Sequence, residues 1–226
     1  MKINLIDILR NSFSDKSYQD ISQHVGINLE STKNGLNAIT PIVLTSILGN
    51  NTVKNATQPV WWNALKEEYP FSEDEYIEAT HINSPSFLIK GREVISGMFR
   101  TNHDELVTSV SSVAGIQKEK ASGLIEVGVP LIAGYLNNWV RKKGWKFKDL
   151  IENLEENKPF IIAALPSGIS PARFGMGNVP KDNFSKTMET AIPNKIKSRN
   201  KVKNGFMWIL GLIVIALLLW YFMGSR

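Results

Sequence analysis

No cysteine occurs anywhere in the 226 residues. That absence excludes disulfides, thiolate metal sites and cysteine nucleophiles together, and it fits a reducing compartment. Histidine is nearly as scarce, with His24, His81 and His103 on three different predicted elements. None has a second histidine three or four residues away on one helix face, so no metal site is expected. His103-Asp104-Glu105 reads instead as a helix start, with Asn102 or His103 capping and the acids set against the dipole. Alternating apolar and polar runs rich in Val, Thr and Tyr are few, which leaves little for strands and predicts an all-α fold.

Catalytic signatures are missing as well. No Gly-x-Ser-x-Gly elbow is found, and Gly175-Met176-Gly177-Asn178 lacks the strand, helix and lysine that make a phosphate cradle. No catalytic residue, cofactor site or small-molecule substrate is therefore expected, and the protein reads as a non-enzyme. The positive charge is not spread along the chain. Of 26 Lys and Arg against 21 Asp and Glu, Lys195, Lys197, Arg199, Lys201 and Lys203 account for as many charges as the whole excess of +5. The residues before them are close to neutral, a thin complement for binding phosphate backbones.

What the sequence does have is a stretch present twice. An offset of 89 residues lays Gly26-Ile27 on Gly115-Ile116 and Pro41 on Pro130 without a gap, and Ile6 on Ile95, Ser22 on Ser111 and Glu30 on Glu119. Apolar character matches at Ile21/Val110, Leu36/Ile125, Ile42/Leu131 and Ile47/Leu136. A register held over about 60 positions, with Gly and Pro in step, reads as a diverged duplication. The expected copies are residues 1–83 and 84–165, forming two small domains or one pseudo-symmetric bundle.

Each copy has the same plan. Leu5, Ile8 and Leu9 lie on one face of a first helix; Ser17 to Val25 gives a second, with Ile21, His24 and Val25 inward, stopped at Gly26. Asn28 or a neighbour caps a third helix that runs into the apolar stretch Pro41 to Leu48, and Pro41 predicts a kink or the first turn of a new helix. In the second copy Val94 to Phe99, Leu106 to Val113, Gly115 and Ala121 to Trp139 repeat these features. Helices are also expected over Trp61 to Tyr69 and Trp145 to Asn157. Of the adjacent pair Trp61-Trp62, one is a candidate partner surface, since both cannot face the same core. The carboxylates Glu73 to Glu78 read as a solvated loop.

Residues 166–205 are rich in Pro and Gly and poor in large apolar side chains, and they read as a flexible linker. Residues 206–223 (FMWILGLIVIALLLWYFM) carry no charge over 18 positions, long enough for a single transmembrane helix. Trp208 lies near one end and Trp220-Tyr221 near the other, as interfacial aromatics do. The basic run Lys195 to Lys203 before it, against Arg226 alone after it, predicts a cytoplasmic N-terminal domain and a C-terminus across the membrane.

The leading Leu/Ile-rich helix, the Gly-Ile step, and Pro followed by apolar residues in PIVLTSILG and PLIAGYL resemble the bacterial YidB-like group, domain of unknown function 937, over residues 1 to 165. The resemblance implies an all-helical bacterial domain with no established activity and no catalytic residues to carry over. Some members of that group continue beyond a similar membrane helix into an OmpA-like domain that grips peptidoglycan. This sequence stops at Arg226, either as a short form or with a segment removed, and the resemblance leaves the peptidoglycan link open.

The expected function is a non-enzymatic, membrane-tethered interaction or scaffold module on the cytoplasmic side of the bacterial inner membrane. Its expected partners are the bilayer through 206–223 and either a protein or further copies of itself. The alternative is a membrane-associated nucleic-acid binder, because a short helix, Gly and a longer helix have a helix-turn-helix outline. Lys33, Asn34 and Asn37, or Gln117, Lys118, Lys120 and Glu126, would then face DNA. Too few of them are cationic, and nucleic acid is not the expected partner.

Overall fold

Helix starts are set by short polar side chains that satisfy N–H groups with no partner inside the helix. Asn4 accepts from the Ile6 N–H (3.1 Å), Ser14 from Ser17 (3.0 Å) and Asn28 from Ser31 (2.7 Å). The computed structural model describes residues 4–51, 58–59, 62, 82, 84–99 and 102–176. The chain divides into two units, Met1–Pro180 and Lys181–Arg226, and the architecture below is that of the first.

Among the described residues there are seven α-helices and no strand. They are α1 (Leu5–Asn11), α2 (Asp15–Val25), α3 (Leu29–Gly49), α4 (Pro85–Phe99), α5 (His103–Ala114), α6 (Lys118–Lys142) and α7 (Phe147–Ala163). A 3-10 turn, Pro171–Phe174, follows α7. One continuous hydrophobic core is shared by all of these elements.

The Gly-Ile step has the same geometry at both places. Gly26 (φ 69°) and Gly115 (φ 64°) end α2 and α5 in the left-handed conformation that a side chain disfavours. At each, the Ile N–H returns to the serine carbonyl five residues back at 3.1 Å, from Ile27 to Ser22 and from Ile116 to Ser111. The serine hydroxyl then donates to the isoleucine carbonyl at 2.6 Å in both. The recurring serine is thus part of the cap, closing the turn from both sides.

α3 and α6 form the centre. Every residue of Ala38–Leu48 is buried, and so is every residue of Val127–Asn137, the same eleven positions under the 89-residue offset. Helices buried on all sides need neighbours on all sides, and the other five helices supply them. Where the two cross, positions that correspond in sequence touch each other. A side chain on Gly35 would collide with Leu124, and one on Gly128 would press on Ile39 and Leu36. Each meeting pairs a glycine with a large residue, so the backbones approach closely without leaving a void. Contacts of 35 with 124 and 39 with 128 keep one register, so the helices run past each other in the same direction.

Buried polar groups in this pair are satisfied locally. The Thr40 and Thr45 hydroxyls donate to carbonyls of their own helix, and the Ser46 hydroxyl donates to Met98 O at 2.8 Å. Pro41 begins no new helix, for α3 runs through it unbroken. The ring removes the N–H that would bond Asn37 O, and the Arg10 guanidinium donates to that carbonyl instead at 3.3 Å. At Pro130 the carbonyl released is that of Glu126, and α4 approaches it through Gly91, where a side chain would meet both Glu126 O and the proline ring. Proline is accommodated inside both helices by what packs against the gap.

Three local expectations are corrected. His24 is exposed, as is its counterpart Val113, because Ile21 with Val25, and Val110 with Ala114, already fill the buried stripe. Asn102 makes no side-chain cap for α5; its amide donates to Arg173 O. Residues 166–176, expected as linker, belong to the packed body. Ile169, Pro171 and Phe174 are buried, Phe174 meets Phe99 edge-on with ring centroids 6.1 Å apart, and Arg173 pairs with Glu105. Three spaced apolar side chains suffice to dock a segment whose Pro and Gly content reads as loose. The expected acidic loop Glu73 to Glu78 lies outside the described residues.

Two outcomes test this packing. Gly35→Leu and Leu124→Gly should each destabilise by about 2–5 kcal/mol in denaturant unfolding, while the double exchange costs less than their sum by at least about 1 kcal/mol. Strict additivity would mean that the two positions share no contact. A side chain on Gly49 would collide with Phe174 O and with the Gly175 backbone. Gly49→Ala should therefore lose about 1–3 kcal/mol and expose the Pro171–Phe174 turn to proteolysis.

Candidate functional site

α6 ends and α7 begins around a tight turn, with Gly144 at φ 66°. Lys146 precedes α7, and its N–H is taken by the Asp149 carboxylate at 2.7 Å, so the turn is held from the helix side. Beside it opens a cavity of 370 Å³. Trp62, Trp145, Phe147 and Val140 supply its apolar walls, Gln58 and Asn137 its neutral polar groups, and Arg141, Lys146 and Lys148 its charge. Among the described residues no carboxylate lines it.

The walls are fixed by aromatic contacts. Trp62, only 1% exposed, meets Phe147 edge-on at 5.3 Å, and Asn137 Nδ2 donates to Trp62 O at 3.2 Å. Trp145 packs edge-on against Trp139 at 4.8 Å, and Lys143 Nζ lies 6.0 Å from the Trp139 ring. Arg141, Lys142, Lys143, Lys146 and Lys148 are all exposed. Lys148 pairs with Glu152 at 3.7 Å, a solvated contact that leaves the local charge strongly positive. The sequence reading passed over this cluster, although its signal is plain in RKKGWKFK: five cations in eight residues with Trp145 among them.

The predicted site residues are dispersed. Gly26, Ile27, Gly115 and Ile116 form the two helix ends described above, and Pro41 and Pro130 are core residues. The first helix end is tied to the second repeat by Lys120 Nζ, which donates to Val25 O at 2.8 Å. Trp62 is a core residue and not a partner surface; Trp61 lies outside the described residues. So do Lys195, Lys197, Arg199, Lys201, Lys203, Trp208, Trp220 and Tyr221, together with the whole predicted span 206–223. Among the described residues no helix is long and apolar enough to cross a membrane, and no cluster of three metal-ligating side chains occurs.

The helix-turn-helix candidates are poorly placed for a groove. Lys33 pairs with Asp15 at 3.2 Å and lies over the Tyr18 ring, Asn37 holds Arg10 through its carbonyl, and Lys120 is engaged at Val25. Asn34, Gln117 and Lys118 are exposed and Glu126 is half-buried. Over Ala38–Leu48 and Val127–Asn137 α3 and α6 are interior, whereas a recognition helix must lay a face along DNA.

A family model described as "Bacterial protein of unknown function (DUF937)" matches residues 7–138. No curated protein and no solved structure matches the chain. The matched range takes in both Gly-Ile steps and ends just before the basic turn.

One ionisable group in the described body is clearly perturbed. Burial raises the Tyr18 hydroxyl above its ordinary 10.0; nearby Arg10 opposes this and Asp15 adds to it. The folded state keeps that proton to higher pH than the unfolded chain, so the linked stability is whole below pH 10.0 and is lost as pH rises through the raised value. Tyr18→Phe should flatten the alkaline fall in stability, measured by denaturant unfolding across that range. An unchanged pH profile would assign the fall to other groups.

Proposed function

Because the chain belongs to the bacterial DUF937 family of proteins of unknown function, we propose its role from its architecture: a non-enzymatic, membrane-tethered scaffold or interaction module. The observation that carries this reading is the composition of the seam between α3 and α6. Gly35, Leu36, Ile39, Leu124 and Gly128 meet there, and the buried polar residues of the described body are Ser, Thr and Asn. An enzyme built between two repeats would gather ionisable side chains at that seam. Here the interior is spent on holding two helices together.

The tether is the apolar run 206–223, with Lys195 to Lys203 keeping the helical unit on the cytoplasmic side of the inner membrane and the last residues across it. A tethered module is concentrated on a surface, so weak contacts with a protein partner or with other copies suffice for assembly. Nucleic acid is the second-ranked partner, disfavoured by the burial of both candidate recognition helices.

Light scattering on the full chain in a nonionic detergent, at several concentrations and two salt strengths, tests the scaffold reading. We expect a protein mass that rises with concentration and varies little with salt. A monomer at every concentration that co-purifies with DNA at low salt and sheds it at high salt would replace the scaffold by the nucleic-acid reading. Protease added to spheroplasts should leave the helical unit intact. Its digestion from outside would reverse the orientation.

A further inference from the structure

The cavity at the α6–α7 turn is the feature of the described body that neither the core nor the scaffold reading uses. We propose that it binds an organic phosphate, the phosphate held by Arg141, Lys146 and Lys148 and its apolar substituent seated against Trp145, which buried Trp62 and Phe147 back from the core.

Three observations converge on that chemistry. First, among the described residues that line the cavity the charge is of one sign, and Lys142 and Lys143 extend it on the adjoining turn. An anion entering there meets cations from the end of α6 and from the start of α7, elements that the fold holds together. Arginine offers a planar fork suited to two phosphate oxygens, and the lysines add point charges beside it. Second, the opposite wall is aromatic and braced. Half-buried Trp145 is the face offered, held edge-on by Trp139, and buried Trp62 and Phe147 back it from the core, so the apolar surface is formed before any ligand arrives. A bare inorganic anion would leave that wall unused, whereas a phosphate carrying a ring or a chain would cover it. Third, the volume of 370 Å³ lies in the range of small-molecule pockets, too small for a folded partner and ample for a phosphate with a compact apolar group.

Two sources supply this chemistry: the headgroup of an anionic lipid, or a soluble phosphate ester. The site does not depend on the membrane tether, since every residue in it belongs to the helical unit.

The test is isothermal titration of the full chain in a nonionic detergent with phenyl phosphate, inorganic phosphate, benzyl alcohol and short-chain phosphatidic acid. Phenyl phosphate is expected to bind saturably, at least roughly tenfold more tightly than inorganic phosphate, with benzyl alcohol weaker still. Arg141→Gln with Lys146→Gln should weaken phenyl phosphate by at least roughly tenfold while the thermal midpoint stays within a few degrees. Trp145→Leu should remove most of the preference for phenyl over inorganic phosphate. Tighter binding of phosphatidic acid than of phenyl phosphate would assign the site to lipid headgroups, and the reverse order to soluble esters; either supports the proposal. It is overturned if no phosphate probe saturates, if benzyl alcohol binds as tightly as phenyl phosphate, or if the folded double variant binds unchanged.

Discussion

Two helices that bury every side of their central eleven residues dictate most of this fold. A helix normally offers one apolar stripe and leaves the other face to water. Over those residues α3 and α6 offer no such face, so each must be surrounded there. Their mutual contact can be close only because glycine stands opposite leucine or isoleucine at the two crossing points. The remaining helices are short because their task is cover: α2 and α5 dock beside the pair, each ending in a serine-closed glycine cap, and the turn after α7 seals the end of α3 at Gly49.

The same burial explains how proline is tolerated in the middle of both long helices. A released carbonyl in the interior is costly without a donor or a close neighbour. Arg10 supplies the donor at Asn37, reaching from α1 across to α3. Gly91 brings α4 against Glu126 O in the other repeat. One sequence feature, proline at matching positions, is thus resolved by two unlike devices, which is how the repeats keep a common backbone while their covering helices diverge.

Much of this was legible beforehand. The Gly-Ile step, the capping Asn28, and the third helix of each copy follow from local rules that the tertiary structure obeys. Where tertiary contact decides, local reading fell short. Helical spacing alone places His24 inward, yet Ile21 and Val25 leave no room in the stripe. Adjacency alone implies that one of Trp61 and Trp62 faces outward, but it cannot say which, and the burial of Trp62 depends on Phe147 and Asn137, far away in sequence. Residues 166–176 looked like linker because their composition is poor in apolar residues, while docking needed only Ile169, Pro171 and Phe174 at the right spacing. The basic turn Arg141 to Lys148 was readable as a charge run; that it borders an aromatic cavity was not, since Trp62 arrives from the first repeat.

The in-register meeting of α3 with α6 bears on what half of this chain could do alone. A polypeptide ending after α3 would present a helix with Leu36 and Ile39 open to solvent on the side that α6 now fills. It would bury that surface only by finding a second copy, and the folded fraction would fall on dilution. Joining two such copies in one chain turns a bimolecular encounter into an intramolecular one, governed by an effective concentration set by the intervening segment. Folding then no longer depends on expression level, and the two copies are released from the requirement to be identical. Only after that release can one crossing carry glycine on α3 and leucine on α6, and the next carry them the other way round, with isoleucine on α3 and glycine on α6.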